Sequence, residues 1–267
     1  MNIKFIVNDY LIAWNLLFTK SITQELCNTK QKLWNTYKKE YNNSYNDKKI
    51  IIDDYKNFIP NNDIVYNALF EKEDFKIIKK EAEKLRMNSM KLWDKNIKEI
   101  DNLLHNIIRL NINDYNCFII NKEFNIIDAV NKDSLIVGLD NKNINKFLVD
   151  LLYKIIENEV KIEEEDNLNI KKAILEMAIK NEFATILNNR SCYKDGTESL
   201  ARIKRQIYPY WLMYLGVPKE DMIKYIMRDK IAFEVNNFAY EKELININIE
   251  EFIEFIIRNK RYIIRTS

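Results

Sequence analysis

Two carboxylates on a mostly apolar segment are the residues of this chain best placed to do chemistry. Residues 172–187 carry Ala173, Ile174, Leu175, Met177, Ala178, Ile179, Phe183, Ala184 and Ile186, which surround a helix on nearly all sides. Such a helix is predicted to be central and buried. Glu176, Asn181 and Glu182 interrupt it. A buried carboxylate is paired, protonated or part of a site, because water solvates the bare charge far better than apolar side chains do. As catalytic candidates, Glu182 and Glu176 would do the proton transfer of a carboxylate-based hydrolase. The structural reading is ion pairing. Lys180 stands one turn after Glu176. The i+4 neighbour of Glu182 is Ile186, so its partner would come from another helix, as Arg202, Arg205 or Arg228.

Residue counts exclude most other chemistries. His105 is the single histidine, so no HExxH, two-histidine facial site or three-histidine zinc site can be written. It falls between Leu104 and Ile107 in a predicted helix and reads as a boundary residue. Cys27, Cys117 and Cys192 are odd in number and widely spaced, without CxxC, which excludes a disulfide framework and a zinc finger. Free thiols fit a reducing compartment. Gly138, Gly196 and Gly216 are too few for a glycine-rich phosphate loop. The acidic run Glu157, Glu159, Glu163, Glu164, Glu165 and Asp166 lacks the glycine and ligand alternation of an EF-hand, and reads as a solvated helix end. No metal and no cofactor are expected.

One basic segment could recognise phosphate. Arg202, Lys204 and Arg205 stand beside Tyr208, Tyr210 and Trp211, a mixture that can bind phosphates and stack bases. Arg258, Lys260, Arg261 and Arg265 add a basic tail. The net charge of +2 gives no general attraction to nucleic acid, so aromatics in the core and cations on a solvated face weigh more.

These side chains must be positioned by a mostly helical chain. Hydrophobic residues make up 47% and charged residues 31%, a globular composition. No segment reaches the roughly 18–20 unbroken apolar residues that span a bilayer. Asn8 and Asp9 interrupt the apolar start, which also lacks a cleavage pattern. A cytoplasmic protein with no membrane partner is expected. Apolar periodicity predicts helices over 22–46, 48–59, 89–110, 143–160, 172–187, 200–214 and 249–257, with Asn8-Asp9 capping a helix that carries Leu11, Ile12, Trp14 and Leu16, and the Asn61-Asn62-Asp63 turn opening one through Phe70. Pro209 should kink the 200–214 helix, with Gly216 as its C-cap and Pro218 opening the next. Strands are predicted at 115–120 and 134–139, with 3–7 as a further candidate. The fold class is α+β, predominantly helical, with a small sheet of about two or three strands. A single compact domain, 1–267, is expected, with a helical N-terminal lobe (1–110) and a sheet plus helical C-terminal lobe (111–267).

The order of elements is informative. Two strands lead into an amphipathic helix carrying Phe147, Leu148, Leu151, Leu152, Ile155 and Ile156, and the glutamate-bearing helix follows. Over residues 115–189 this order resembles the core of zincin metallopeptidases of the gluzincin type. There the first helix carries HExxH and the second the glutamate ligand. The register that fits places Tyr153, Lys154 and Glu157 where His, Glu and His would stand, and Glu176 or Glu182 at the third ligand. The zinc histidines and the catalytic glutamate are absent. The resemblance is one of topology. It implies a degenerate, non-zinc scaffold without peptidase activity, hence a pseudoenzyme that binds another protein or peptide. Its binding residues would be Asn181, Tyr153 and Glu157, with Arg202, Arg205 and Trp211 from the basic–aromatic segment. The alternatives are a nucleic-acid-binding protein and the carboxylate-based hydrolase.

Overall fold

Strands form where short apolar runs are bounded by polar turns. The computed structural model describes residues 1–18, 24–53, 58–139, 143–162, 167–188, 200–222 and 242–264. Within them one sheet contains β1 (Ile3–Ile6), β2 (Tyr115–Ile119), β3 (Ile126–Asn131) and β4 (Ser134–Gly138), in the order β1-β2-β4-β3. β1, β2 and β4 run parallel, and β3 pairs antiparallel with β4. The sheet thus has four strands, not two or three. The unpredicted strand is β3. It has no buried residue, and its register shifts between Ala129 and Asn131, so it carries no apolar alternation to read. β2 and β4 are buried and nearly continuously apolar, as central parallel strands are. Gly138 ends β4 where a Cβ would stand 2.7 Å from the Asn121 carbonyl oxygen, so only glycine fits.

The described chain divides into two compact units. The first comprises Met1–Lys95 and Ile112–Ile155, the second Asn96–Asn111 and Ile156–Ser267. The first holds the sheet with α1 (Asp9–Phe18), α2 (Gln24–Thr36), α3 (Lys38–Tyr45), α4 (Lys48–Asp53), α5 (Ile64–Phe70) and α6 (Glu73–Lys95). The predicted helix 22–46 breaks at Tyr37, whose φ/ψ of −126°/43° is not helical. α6 packs on β1 and β2, α4 lies near β3, and Phe75, Ile78, Ala82 and Leu85 of α6 are buried. α8 (Ile144–Glu159) follows β4 and buries Phe147, Leu148, Leu151, Leu152, Ile155 and Ile156, the predicted stripe.

The second unit holds α7 (Ile97–Asn102), α9 (Leu168–Leu175), α10 (Ala184–Asn188), α11 (Ala201–Tyr214), α12 (Ile249–Arg258) and α13 (Lys260–Ile263). Two π-helical segments lie among them, π1 (Leu103–Ile108) and π2 (Glu176–Phe183), and they pack on one another. The predicted helix 89–110 is therefore broken at Asn96 and widened at its end. It stops at Arg109, in the left-handed region at φ 57°, whose N–H donates to the Leu104 carbonyl. Pro209 lies inside α11. Gly216, at φ 77°, closes it: the Gly216 N–H donates to Met213 and the Val217 N–H to Leu212, a Schellman pair. A capping box between Asn248 and Glu251 starts α12. Among the described residues no helix is long and apolar enough to cross a membrane. The predictions made at residues 163–166, Cys192, Gly196, Arg228 and Arg265 lie outside the described residues.

Candidate functional site

π2 is where apolar sequence and carboxylates coincide. Met177, Ala178, Ile179 and Phe183 are buried, and so is Glu176, at 1% exposure. π segments are rare and often mark functional sites, because the widened turn re-aims side chains. Glu176 is held from both sides. Its Oε1 accepts from Lys180 at 3.0 Å, the predicted one-turn partner, and its Oε2 lies 2.6 Å from the Lys204 ammonium of α11. Burial lowers the Lys204 pKa, the bond to Glu176 raises it in part, and the charges of Lys180 and Lys172 lower it again. Two ammonium groups, Lys180 and Lys204, thus pair with one carboxylate. A metal ion entering here would be repelled by both ammonium groups and would have to displace them.

Glu182 is half-buried, one turn and a half further along the segment, and its Oε1 accepts from the Trp211 indole N–H at 3.3 Å. α11 therefore clasps π2 twice, with Lys204 on Glu176 and Trp211 on Glu182. Asn181, between the two carboxylates, is half-buried, and its side-chain oxygen is enclosed without a donor among the described residues.

The resemblance-derived positions on α8 are Tyr153, Lys154 and Glu157, all half-buried. Lys154 forms a 3.2 Å ion pair with Asp128 of β3. The backbone carbonyls of Glu157 and Val160 accept from Lys171, which closes the end of α8. Among the described residues no three His, Cys, Asp or Glu side chains converge on a metal-sized space.

The basic–aromatic segment separates by helical periodicity. Arg202 and Arg205 are exposed, whereas Trp211 is fully buried, stacked on Tyr214 at 5.1 Å and packed against Phe252. An indole so enclosed has no face for a base. His105 is exposed on π1.

Sequence reasoning missed Arg109. Its guanidinium donates to the carbonyls of Ile245, Ile247 and Tyr214 and lies 4.5 Å over the Tyr214 ring. The Tyr214 hydroxyl in turn donates to the Ile107 carbonyl of π1. Only a positive backbone φ at the helix end distinguishes Arg109, and no residue type announces that. No family model, no curated protein and no solved structure matches this chain.

Proposed function

We propose that this chain is a non-catalytic binding protein on a degenerate scaffold of the gluzincin metallopeptidase type, with another protein or a peptide as partner. The observation that carries the reading is the double lysine lock on Glu176. Where the resemblance calls for a metal-binding carboxylate, this chain supplies one whose charge is already spent on internal ammonium groups. Lys154 supports it: at the position of the general base stands a cation, itself paired with Asp128. The element order that prompted the resemblance, β2 and β4 followed by α8 and then the glutamate-bearing segment, is kept.

A peptide partner is favoured by β3. It is one of the two outer strands among the described residues, none of its side chains is buried, and Ile126 at its start is 36% exposed. An accessible outer strand offers backbone donors and acceptors to an added strand. The test is selection of displayed random peptides on the purified full chain, followed by calorimetry and mass spectrometry with added zinc. The reading expects saturable binding of peptides that stay intact. Cleavage of a bound peptide, or no enrichment over several rounds, overturns it.

A further inference from the structure

A second feature lies within the first unit and takes no part in the lysine–glutamate arrangement. Between α2 and α3 is an open pocket of about 580 Å³ lined by Cys27, Lys30, Gln31, Trp34 and Tyr41. That volume is within the roughly 300–1,000 Å³ of small-molecule sites. The lining follows from helical spacing: Cys27, Lys30, Gln31 and Trp34 fall at i, i+3, i+4 and i+7 and share one face of α2. Tyr41 closes the other side from α3, fixed by donation of its hydroxyl to the Leu17 carbonyl at 2.7 Å. That phenol is partly buried, which pushes its pKa up to about 12, so it stays neutral.

Two features of the lining select a ligand. Trp34 leaves 37% of its surface exposed, and Lys38 over its ring at 4.9 Å helps to hold the indole in place. A partly presented indole favours a flat apolar body. Lys30 is partly buried, and loss of water around its ammonium lowers its pKa, offset in part by Cys27. A partly desolvated ammonium gains more from an anionic partner than a fully hydrated one does.

We propose that the α2–α3 pocket is a binding site for a small planar aromatic carboxylate, its ring on Trp34 and Tyr41 and its anion on Lys30. Cys27, in the same lining, serves as the reporter. Alkylation of Cys27 in the full chain is followed by peptide-level mass spectrometry, with iodoacetate and with iodoacetamide. The ratio of the two rates cancels thiol reactivity and leaves the effect of reagent charge. The ratio should be about five-fold higher in the folded protein than in the urea-unfolded chain, the scale of one partly screened charge. Lys30→Met, checked for native circular dichroism, should restore the unfolded ratio, and Lys30→Gln should repeat that result. 1-Naphthoate should slow alkylation by the neutral reagent, 1-naphthalenemethanol should need at least about five-fold more for equal protection, and Trp34→Ala should abolish protection. An unchanged rate ratio on folding, equal protection by acid and alcohol, or no protection by millimolar naphthoate would each overturn the proposal.

Discussion

The Lys204 ammonium and the Glu176 carboxylate meet at 2.6 Å, with side chains 7% and 1% exposed. Both charges have left water, so each depends on the other and on Lys180. Glu176→Leu leaves Lys204 buried without its anion and should cost about 3–5 kcal/mol, the range for breaking a buried pair from one side. The double variant Glu176→Leu/Lys204→Met removes both charges and should recover most of that loss. Urea unfolding of the four proteins in the cycle measures the coupling. Additive losses would show that the pair is not coupled.

The same pair sets a pH dependence. The folded pKa of Lys204 lies below the ordinary lysine value of 10.5, chiefly through burial. Between those two values the unfolded chain holds a proton that the folded chain has released. Stability contributed by this group therefore rises as pH climbs toward 10.5. The stability of wild type minus that of Lys204→Met, from urea midpoints across alkaline pH, should increase with pH. A flat or falling difference would contradict the assignment.

A second buried carboxylate gives a signature at the acid end. Asp47, at 1% exposure, accepts from the Tyr66 hydroxyl at 3.0 Å and from Asn61 at 3.3 Å. Burial raises its pKa above 3.8, and these hydrogen bonds lower it in part. A raised carboxyl contributes stability that is present in acid and lost as pH rises through the folded value. Asp47→Asn keeps a neutral acceptor at every pH. Relative to wild type the variant should gain stability between about pH 3 and pH 7. Thermal melts across that range test it, and a variant that loses ground toward neutrality would refute it.

How much of this was legible follows from which physical signals are local. The stripe on α8, the all-round apolar segment 172–187, the Gly216 cap and the Glu176–Lys180 pair all rest on spacing within one helix, and the sequence prints spacing directly. β3 was illegible because an outer strand with no buried residue has no apolar period. The breaks at Tyr37 and Asn96 and the widening into π1 and π2 are set by packing rather than by local residue type. The partners of Glu176 and Glu182 across α11 are tertiary. Lys204 read as a surface cation because it stands in one basic run with Arg202 and Arg205; those two are exposed, while the helical turn directs Lys204 inward.

Tyr214 ties π1 to α11 through its hydroxyl on the Ile107 carbonyl. Tyr214→Phe keeps the ring against Trp211, Phe252 and Arg109 and removes only that donor. The expected loss is about 1–3 kcal/mol, the cost of stranding a buried acceptor. Chemical denaturation measures it, and a loss near zero would mean that water replaces the hydroxyl.

With Trp211 enclosed, the segment 201–214 has exposed cations but lacks its central stacking surface. The protein should leave a heparin column below about 0.2 M salt, and Arg202→Ala/Arg205→Ala should shift that position only slightly. Retention to high salt that the double variant abolishes would revive the nucleic-acid reading.

Zinc stoichiometry tests the central claim most directly. The full chain is incubated with excess zinc, dialysed, and measured by elemental analysis beside Glu176→Gln. With Glu176 locked by Lys180 and Lys204, both proteins should retain far less than one zinc per chain. One tightly held zinc per chain in the wild type, absent from Glu176→Gln, would contradict the account and make this chain a metalloprotein.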